Sequence, residues 1–272
     1  MSNTASKGTA VVTGASTGIG AIYAERLARR GHDLILVARN RARLEQLATR
    51  ITDETGRSVE IVTADLSNDA DIRRVESILS SDASITTLVN NAGIGAALPL
   101  LNSDVDAMEA MIKLNVVSPT RLIYAIVPAF VARGEGTLIN IASIAAVAPE
   151  MLNGVYGGTK SFVVAVTQSL LHELTDKGVR VQALLPGATR TEFWSTAGQP
   201  VENLPAQIVM EAEDMVDAAL AGFDAGETIT IPSLPEIADW NTFEAARKAL
   251  MPNLSRSKPA TRFNVDGAQG TV

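Results

Sequence analysis

The 272-residue chain contains no cysteine, so it forms neither disulfides nor thiolate metal sites, and a reducing compartment, the cytoplasm, is expected. Histidine is scarce: His32 and His172 stand at no metal-ligand spacing from one another or from carboxylates, and no metal is expected. Positive charge is also short. The formal net charge is −7, which gives no overall field toward nucleic acid or an anionic membrane and favours a small-molecule partner. The first residues, Met1 to Gly8, are polar and lack the apolar core of a secretory signal. No later apolar run reads as long enough to span a bilayer, so neither export nor insertion is expected.

What the chain does have is enough apolar material for one sizeable core, 46% hydrophobic against 19% charged. Short β-branched runs alternate with longer segments of helical periodicity, the rhythm of βαβ units. The expected strands are Thr9 to Thr13, Asp33 to Ala38, Ser58 to Thr63, Ile85 to Val89, Thr137 to Ile141, Val179 to Leu185 and Thr228 to Ile231. Most are apolar throughout, as in Leu34-Ile35-Leu36-Val37, which predicts a doubly wound parallel α/β sheet of about seven strands with helices on both faces. No internal repeat is visible. Past about residue 195 the rhythm degrades around Pro200, Pro205, Pro232, Pro235, Pro252 and Pro259. A single domain over 1–251 is expected, with a substrate lid around 190–225 and a polar, flexible tail over 252–272.

The first strand ends in Thr13-Gly14-Ala15-Ser16-Thr17-Gly18-Ile19-Gly20, followed by an amphipathic segment, Ala21 to Arg30. Glycines at this turn let backbone approach a pyrophosphate, and the amides opening the helix stabilise its charge. The spacing is GxxxGxG, not the GxGxxG of many dinucleotide folds, and a tight strand-to-helix turn alone would also account for it. Where an acidic residue would grip an adenosine ribose, the second strand ends in Ala38-Arg39. An arginine there can stack on adenine and pair with a 2′-phosphate, so the position favours NADP(H) over NAD(H). A solvated arginine opening the next helix is the plainer alternative.

At this point the chain resembles the short-chain dehydrogenases/reductases, in the subgroup built on TGxxxGxG and YxxxK, over roughly residues 7 to 192. The resemblance implies a Rossmann-type fold and hydride transfer between a nicotinamide and a carbonyl or alcohol carbon. It implies a cofactor site at Gly14, Ser16, Thr17, Gly18, Ile19, Gly20 and Arg39, with Asp65 and Leu66 beside the adenine. Asn91, Ala92 and Gly93, of the run Asn90-Asn91-Ala92-Gly93, would brace the central sheet and border the cofactor. Pro186, Gly187 and Thr191 would complete its nicotinamide end, together with Tyr156 and Lys160. The catalytic set implied is Asn115, Ser143, Tyr156 and Lys160, with Asn115 holding a water that links Lys160 to solvent. Each short string arises readily by chance; the ordered set does not.

Residue chemistry supports the same roles. Tyr156 and Lys160, four apart, share one helix face. A free phenol titrates near about 10, too high for acid-base work near neutrality. A neighbouring ammonium and an oxidised nicotinamide both favour phenolate and are expected to lower it. Ser143 would hold the substrate oxygen by a hydrogen bond that strengthens as charge develops. Around this centre Leu98, Ile144, Leu152, Phe193 and Trp194 are the expected substrate pocket. Arg190 is the sole cation near them, so an uncharged, largely apolar ketone or aldehyde is expected.

The end of the chain departs from the family. Many relatives close with a glycine-rich strand region, whereas here Thr228 to Pro232 leads to Ser233-Leu234-Pro235 and a predicted helix, Asp239 to Leu250. Segments near 104–132 and 156–175 are apolar over more circumference than one sheet face covers, which predicts a homodimer or homotetramer. Two other functions use the same fold: a non-catalytic NADP-sensing scaffold, against which the intact Ser143, Tyr156 and Lys160 argue, and a non-redox lyase or epimerase, identified by turnover without net NADPH consumption.

Overall fold

In the computed structural model, which describes residues 6–265, the apolar run Leu34-Ile35-Leu36-Val37 is buried along its whole length because alternate side chains enter two different cores. Leu34 and Leu36 join one layer with Val12, and Ile35 and Val37 join the other with Val11. Two helical layers therefore hide the period-two alternation that a half-exposed sheet would display.

The strands are β1 (Thr9–Thr13), β2 (Asp33–Ala38), β3 (Val59–Thr63), β4 (Ile85–Asn90), β5 (Gly136–Ile141), β6 (Val179–Leu184) and β7 (Ile229–Thr230). They form one parallel sheet in the order β3-β2-β1-β4-β5-β6-β7. The expected strands are all present. The last is shorter than expected because only Ile229 and Thr230 pair, with Ala183 and Leu184.

Between the strands run α1 (Gly18–Arg29), α2 (Arg41–Thr55), α3 (Asp69–Ser81), α4 (Val105–Ile112), α5 (Ser118–Arg133), α6 (Gly154–Glu173), α7 (Phe193–Thr196) and α8 (Ala212–Asp224). Residues of α1, α2 and α8 fill one core, and those of α3 and α5, with the flank of α6, fill the other. Side-chain caps start several of these helices: Asn40 accepts from the Arg43 amide, Asn68 from those of Ala70 and Asp71, Asp104 from Asp106, and Asn153 from Val155. Each such cap contributes about 1 kcal/mol.

A π turn, Lys113–Val117, joins α4 to α5, so the helical run from Val105 to Arg133 is continuous. By length and composition this run is long and apolar enough to cross a membrane, although Lys113 and Arg121 interrupt its apolar residues. Leu122, Ile123, Ile126 and Phe130 of the run are buried against the sheet. On its other side Val105, Ile112, Val117 and Tyr124 are exposed.

A buried amide chain fixes α6 to the sheet. Asn90 Nδ2 donates to Asn140 Oδ1 at 3.0 Å, and Asn140 Nδ2 donates to Thr167 Oγ1 at 3.0 Å. Asn90 Oδ1 is left without a hydrogen-bond partner, so the chain is paired from Asn90 Nδ2 through Asn140 to Thr167 and helps select one docking of helix on sheet.

The sheet and α1 to α8 lie in a compact unit that ends at Ser233; a second begins at Leu234. The second unit holds α9 (Ile237–Ala249), where the rings of Trp240 and Phe243 stack with centroids 5.2 Å apart. The sequence reading grouped this helix with the main domain. Beyond it, residues 252–265 are exposed and form short 3-10 turns, Met251–Asn253 and Thr261–Phe263. The remainder of the expected tail lies outside the described residues.

Candidate active site

The strand order reverses between β1 and β4, and a doubly wound sheet opens a crevice beside the carboxyl ends of its strands at such a point. A cleft of 1090 Å³ lies there, lined along its length by the β1–α1 turn, the ends of β2, β4 and β5, the start of α6, and residues 186–210.

The glycine turn is built for a close approach. Gly14 has φ +65°, in the left-handed region, and a side chain there would meet the Asn91 amide at 2.7 Å. At Gly20 a side chain would run into the Gly14 carbonyl and the same amide. Gly20 thus stands outside the cleft wall and acts by packing, while Gly14, Ser16, Thr17, Gly18 and Ile19 line it. Thr17 stands at the N-cap of α1 without a side-chain cap hydrogen bond, and no acidic residue occupies the first turn. The amides opening α1 are therefore not claimed by a side chain, as those of α2, α3, α4 and α6 are. A glycine cradle leading to uncapped amides fits a pyrophosphate.

Thr13 braces the opposite wall. Its Oγ1 accepts from the amides of Asn91 and Ala92, both at 3.0 Å, and Asn91 Nδ2 donates back to the Thr13 carbonyl at 2.9 Å. Asn91, Ala92 and Gly93 line the cleft from this support.

At the β2 end the wall consists of Ala38, Arg39, Asn40 and Arg43, with Asp65 and Leu66 following β3. The Asp65 carboxylate accepts from the Ser67 hydroxyl at 2.6 Å and the Ser67 amide at 2.9 Å. The hydroxyl bond, chiefly, holds its pKa below the usual carboxylate range, and the charge of Arg39 contributes further.

At the other end Ser143, Tyr156 and Lys160 come together as expected, all buried and all facing the cleft. Lys160 Nζ donates to the Ile141 carbonyl at 3.0 Å and lies 5.8 Å from the centre of the Tyr156 ring. Burial pushes the Lys160 ammonium down to about 8. Burial also pushes the Tyr156 phenol up to about 12, against the pull of a hydrogen bond from Ser143. The lowering expected from sequence counted an oxidised nicotinamide as well as the lysine; the chain's own groups alone do not outweigh the desolvation of a phenolate.

Asn115 lies in the π turn, buried but outside the cleft wall. Its Oδ1 accepts from the Ile94 amide at 3.0 Å, and its Nδ2 donates to the Ile94 carbonyl at 2.8 Å and to Thr159 Oγ1 at 3.1 Å. Both Nδ2 hydrogens and one lone pair of Oδ1 are thus engaged in bracing the wall beside Lys160.

Ile144, Leu152, Phe193 and Trp194 line the reactive end, and Pro186, Gly187 and Thr191 lie beside them. Leu98 does not. Its carbonyl accepts from Asn153 Nδ2 at 2.7 Å, and its side chain is half exposed outside the cleft. Residues that the sequence reading missed form the far wall, among them Leu204, Ile208 and Met210. Backbone hydrogen bonds between 188–190 and Met210, at 2.9 Å in each direction, bring them there. Nothing periodic in this proline-broken stretch signals that pairing.

The parallel sheet with its cleft at the strand-order reversal is a dinucleotide-binding α/β fold, and residues 8–202 match the short chain dehydrogenase family; the chain belongs to that family of oxidoreductases. It is similar to the short-chain dehydrogenase from Sphingobium yanoikuyae solved in complex with NADPH: 47% identity, TM-score 0.90, covering 93% of this chain and 98% of that one. It is also similar to the bulky-bulky ketone specific alcohol dehydrogenase from Comamonas testosteroni, at 41% identity and TM-score 0.86 over 94% of this chain and 98% of that one. An uncharacterized oxidoreductase of Staphylococcus saprophyticus is 37% identical over 212 residues, 78% of this chain and 88% of the relative.

Proposed function

We propose that this protein is an NADP(H)-dependent carbonyl reductase acting on uncharged, largely apolar ketones or aldehydes. The observation that carries the reading is one continuous cleft with two chemically different ends: Arg39 and Arg43, with no carboxylate at the end of β2, and Ser143, Tyr156 and Lys160 among Ile94, Ile144, Leu152, Phe193 and Trp194. The NADPH bound to the Sphingobium relative and the bulky ketone named for the Comamonas enzyme support the two halves of this reading.

The dinucleotide, when bound, supplies the hydride. Its pyrophosphate would be held by the Gly14–Ile19 turn and the amides opening α1, and its 2′-phosphate by Arg39. Ser143 donates a hydrogen bond to the substrate oxygen, which is worth most as negative charge develops there. Tyr156, protonated at neutral pH, gives its proton to that oxygen. Lys160 anchors to Ile141 and fixes the floor of the site, and Asn115 holds Ile94 and Thr159 in register beside it. Arg190 is bound to Glu211 at 2.8 Å, and Lys160, the cation lining this end of the cleft, is tied to the Ile141 carbonyl, so neither stands open to pair with a substrate carboxylate.

The exposed Val105, Ile112, Val117 and Tyr124 support self-association through α4 and α5 as a dimer or tetramer, and the lack of cysteine is consistent with the cytoplasm. The test of function is NADPH oxidation with a panel of neutral aryl and alkyl ketones against short keto acids. Turnover of the neutral ketones is expected; preference for the keto acids, or for NADH, overturns the reading.

A further inference from the structure

One ion pair ties the β2 end of the cleft to its lid: Arg43 Nη1 to Glu192 Oε2, at 2.8 Å. Arg43 sits in the first turn of α2, its amide held by Asn40 Oδ1 at 3.1 Å, close in the chain to Arg39. Glu192 immediately precedes α7, whose first residue is Phe193. Both side chains line the cleft, and both remain about half exposed, 45% and 62%. Arg39, by contrast, has no hydrogen-bond or ion-pair partner among the described residues.

If the cofactor is NADP(H), on which this inference rests, a phosphomonoester arrives at this same wall. It brings up to two negative charges to a place where one of the two cations is already engaged by a carboxylate. A guanidinium fork satisfies one oxyanion bidentately, and a second anion drawn to the same fork is repelled by the first. We propose that Glu192 is a specificity-determining residue that competes with the 2′-phosphate for Arg43. Binding of a phosphorylated dinucleotide displaces Glu192 from the pair, whereas a dinucleotide without the phosphate leaves the pair intact. Glu192 therefore holds down the affinity for the phosphorylated cofactor. It also makes the tether on the lid sensitive to which cofactor is bound, because the residue released lies next to Phe193, whose ring meets that of Tyr156.

An exposed pair of this kind is weak, so the effect on binding is modest, about two- to fivefold. The test is calorimetric titration of wild type, Glu192→Gln, Arg43→Gln and the double variant at low ionic strength. The probes are NADPH, NADH, adenosine 2′,5′-bisphosphate and 5′-AMP. Glu192→Gln is expected to bind NADPH and the bisphosphate about two- to fivefold more tightly, with NADH and 5′-AMP unchanged. In the Arg43→Gln background the gain disappears, and added salt shrinks it. Equal changes for NADPH and NADH, no change, or weaker NADPH binding in Glu192→Gln overturns the competition while leaving the cofactor reading standing. Failure of the wild type to bind NADPH overturns the cofactor reading itself, and the competition with it.

Discussion

Phe193 and Tyr156 meet ring to ring, with centroids 5.7 Å apart and planes tilted by 48°. Phe193 also sets its ring edge-on to Trp194 at 5.5 Å, and Trp194 Nε1 donates to the Thr189 carbonyl at 2.9 Å. The segment holding Phe193 and Trp194 thus touches the tyrosine through one ring and is anchored by the next. Phe193→Ala removes apolar wall, and the expected result is a loss of about tenfold in kcat/KM for a bulky neutral ketone with little loss of stability. Trp194→Ala removes a buried anchor and is expected to cost about 3 kcal/mol in urea unfolding as well. Equal stability losses in the two variants would show that the two rings share one role.

Tyr156→Phe keeps the ring against Phe193 and deletes only the hydroxyl. Turnover is expected to fall about 100-fold or more, while NADPH affinity and the unfolding midpoint stay close to wild type. Stopped-flow measurement of a single turnover separates the proton-transfer step from product release. A near-normal rate in this variant would remove Tyr156 from the chemistry.

Lys160 makes stability depend on pH. Its folded value of about 8 lies below the ordinary lysine value of 10.5. Below pH 8 both states hold the proton, and the folded chain bears the whole cost of a buried ammonium. Above about 8 the unfolded chain retains more protons, so stability rises with pH. Tyr156 acts oppositely: raised from 10.0 to about 12, it lends stability that is complete below pH 10 and lost from there upward. The interval from about pH 8 to 10 isolates Lys160, and wild type is expected to gain roughly 2 kcal/mol across it relative to Lys160→Met. Parallel urea-unfolding curves for the two proteins across that interval would refute the buried charge.

The sheet and the reacting groups were legible in the sequence because local patterns encode them. A strand buried on both faces must be apolar throughout, as Leu34 to Val37 is, and a Tyr and a Lys four apart must share a helix face. The phenol's acidity was not legible, because it depends on how completely the fold dehydrates Tyr156, a property of packing and not of spacing. Leu98 was misassigned for a related reason: its side chain follows from where Asn153 holds its carbonyl, a contact 55 residues distant in the chain. The wall at Leu204 to Met210 depends on backbone pairing with 188–190, which leaves no periodic trace among prolines.

Arg39 gives the sharpest test of cofactor choice. It is exposed at the end of β2, lines the cleft, and makes no ion pair or hydrogen bond among the described residues; its charge acts only at longer range, on Asp65, and its donors are open to an incoming anion. A charged hydrogen bond to a 2′-phosphate is worth about 1.5 to 3 kcal/mol, or roughly 10- to 150-fold in Kd. Arg39→Ala is therefore expected to weaken NADPH binding by at least about tenfold and to leave NADH nearly unchanged. Stacking on adenine would instead affect both cofactors equally, since both carry the same base. Arg39→Met separates the two contributions by keeping much of the apolar stem while removing the charge. Selective loss of NADPH affinity in both variants assigns the residue to the phosphate, and equal loss of both cofactors in Arg39→Ala assigns it to the base.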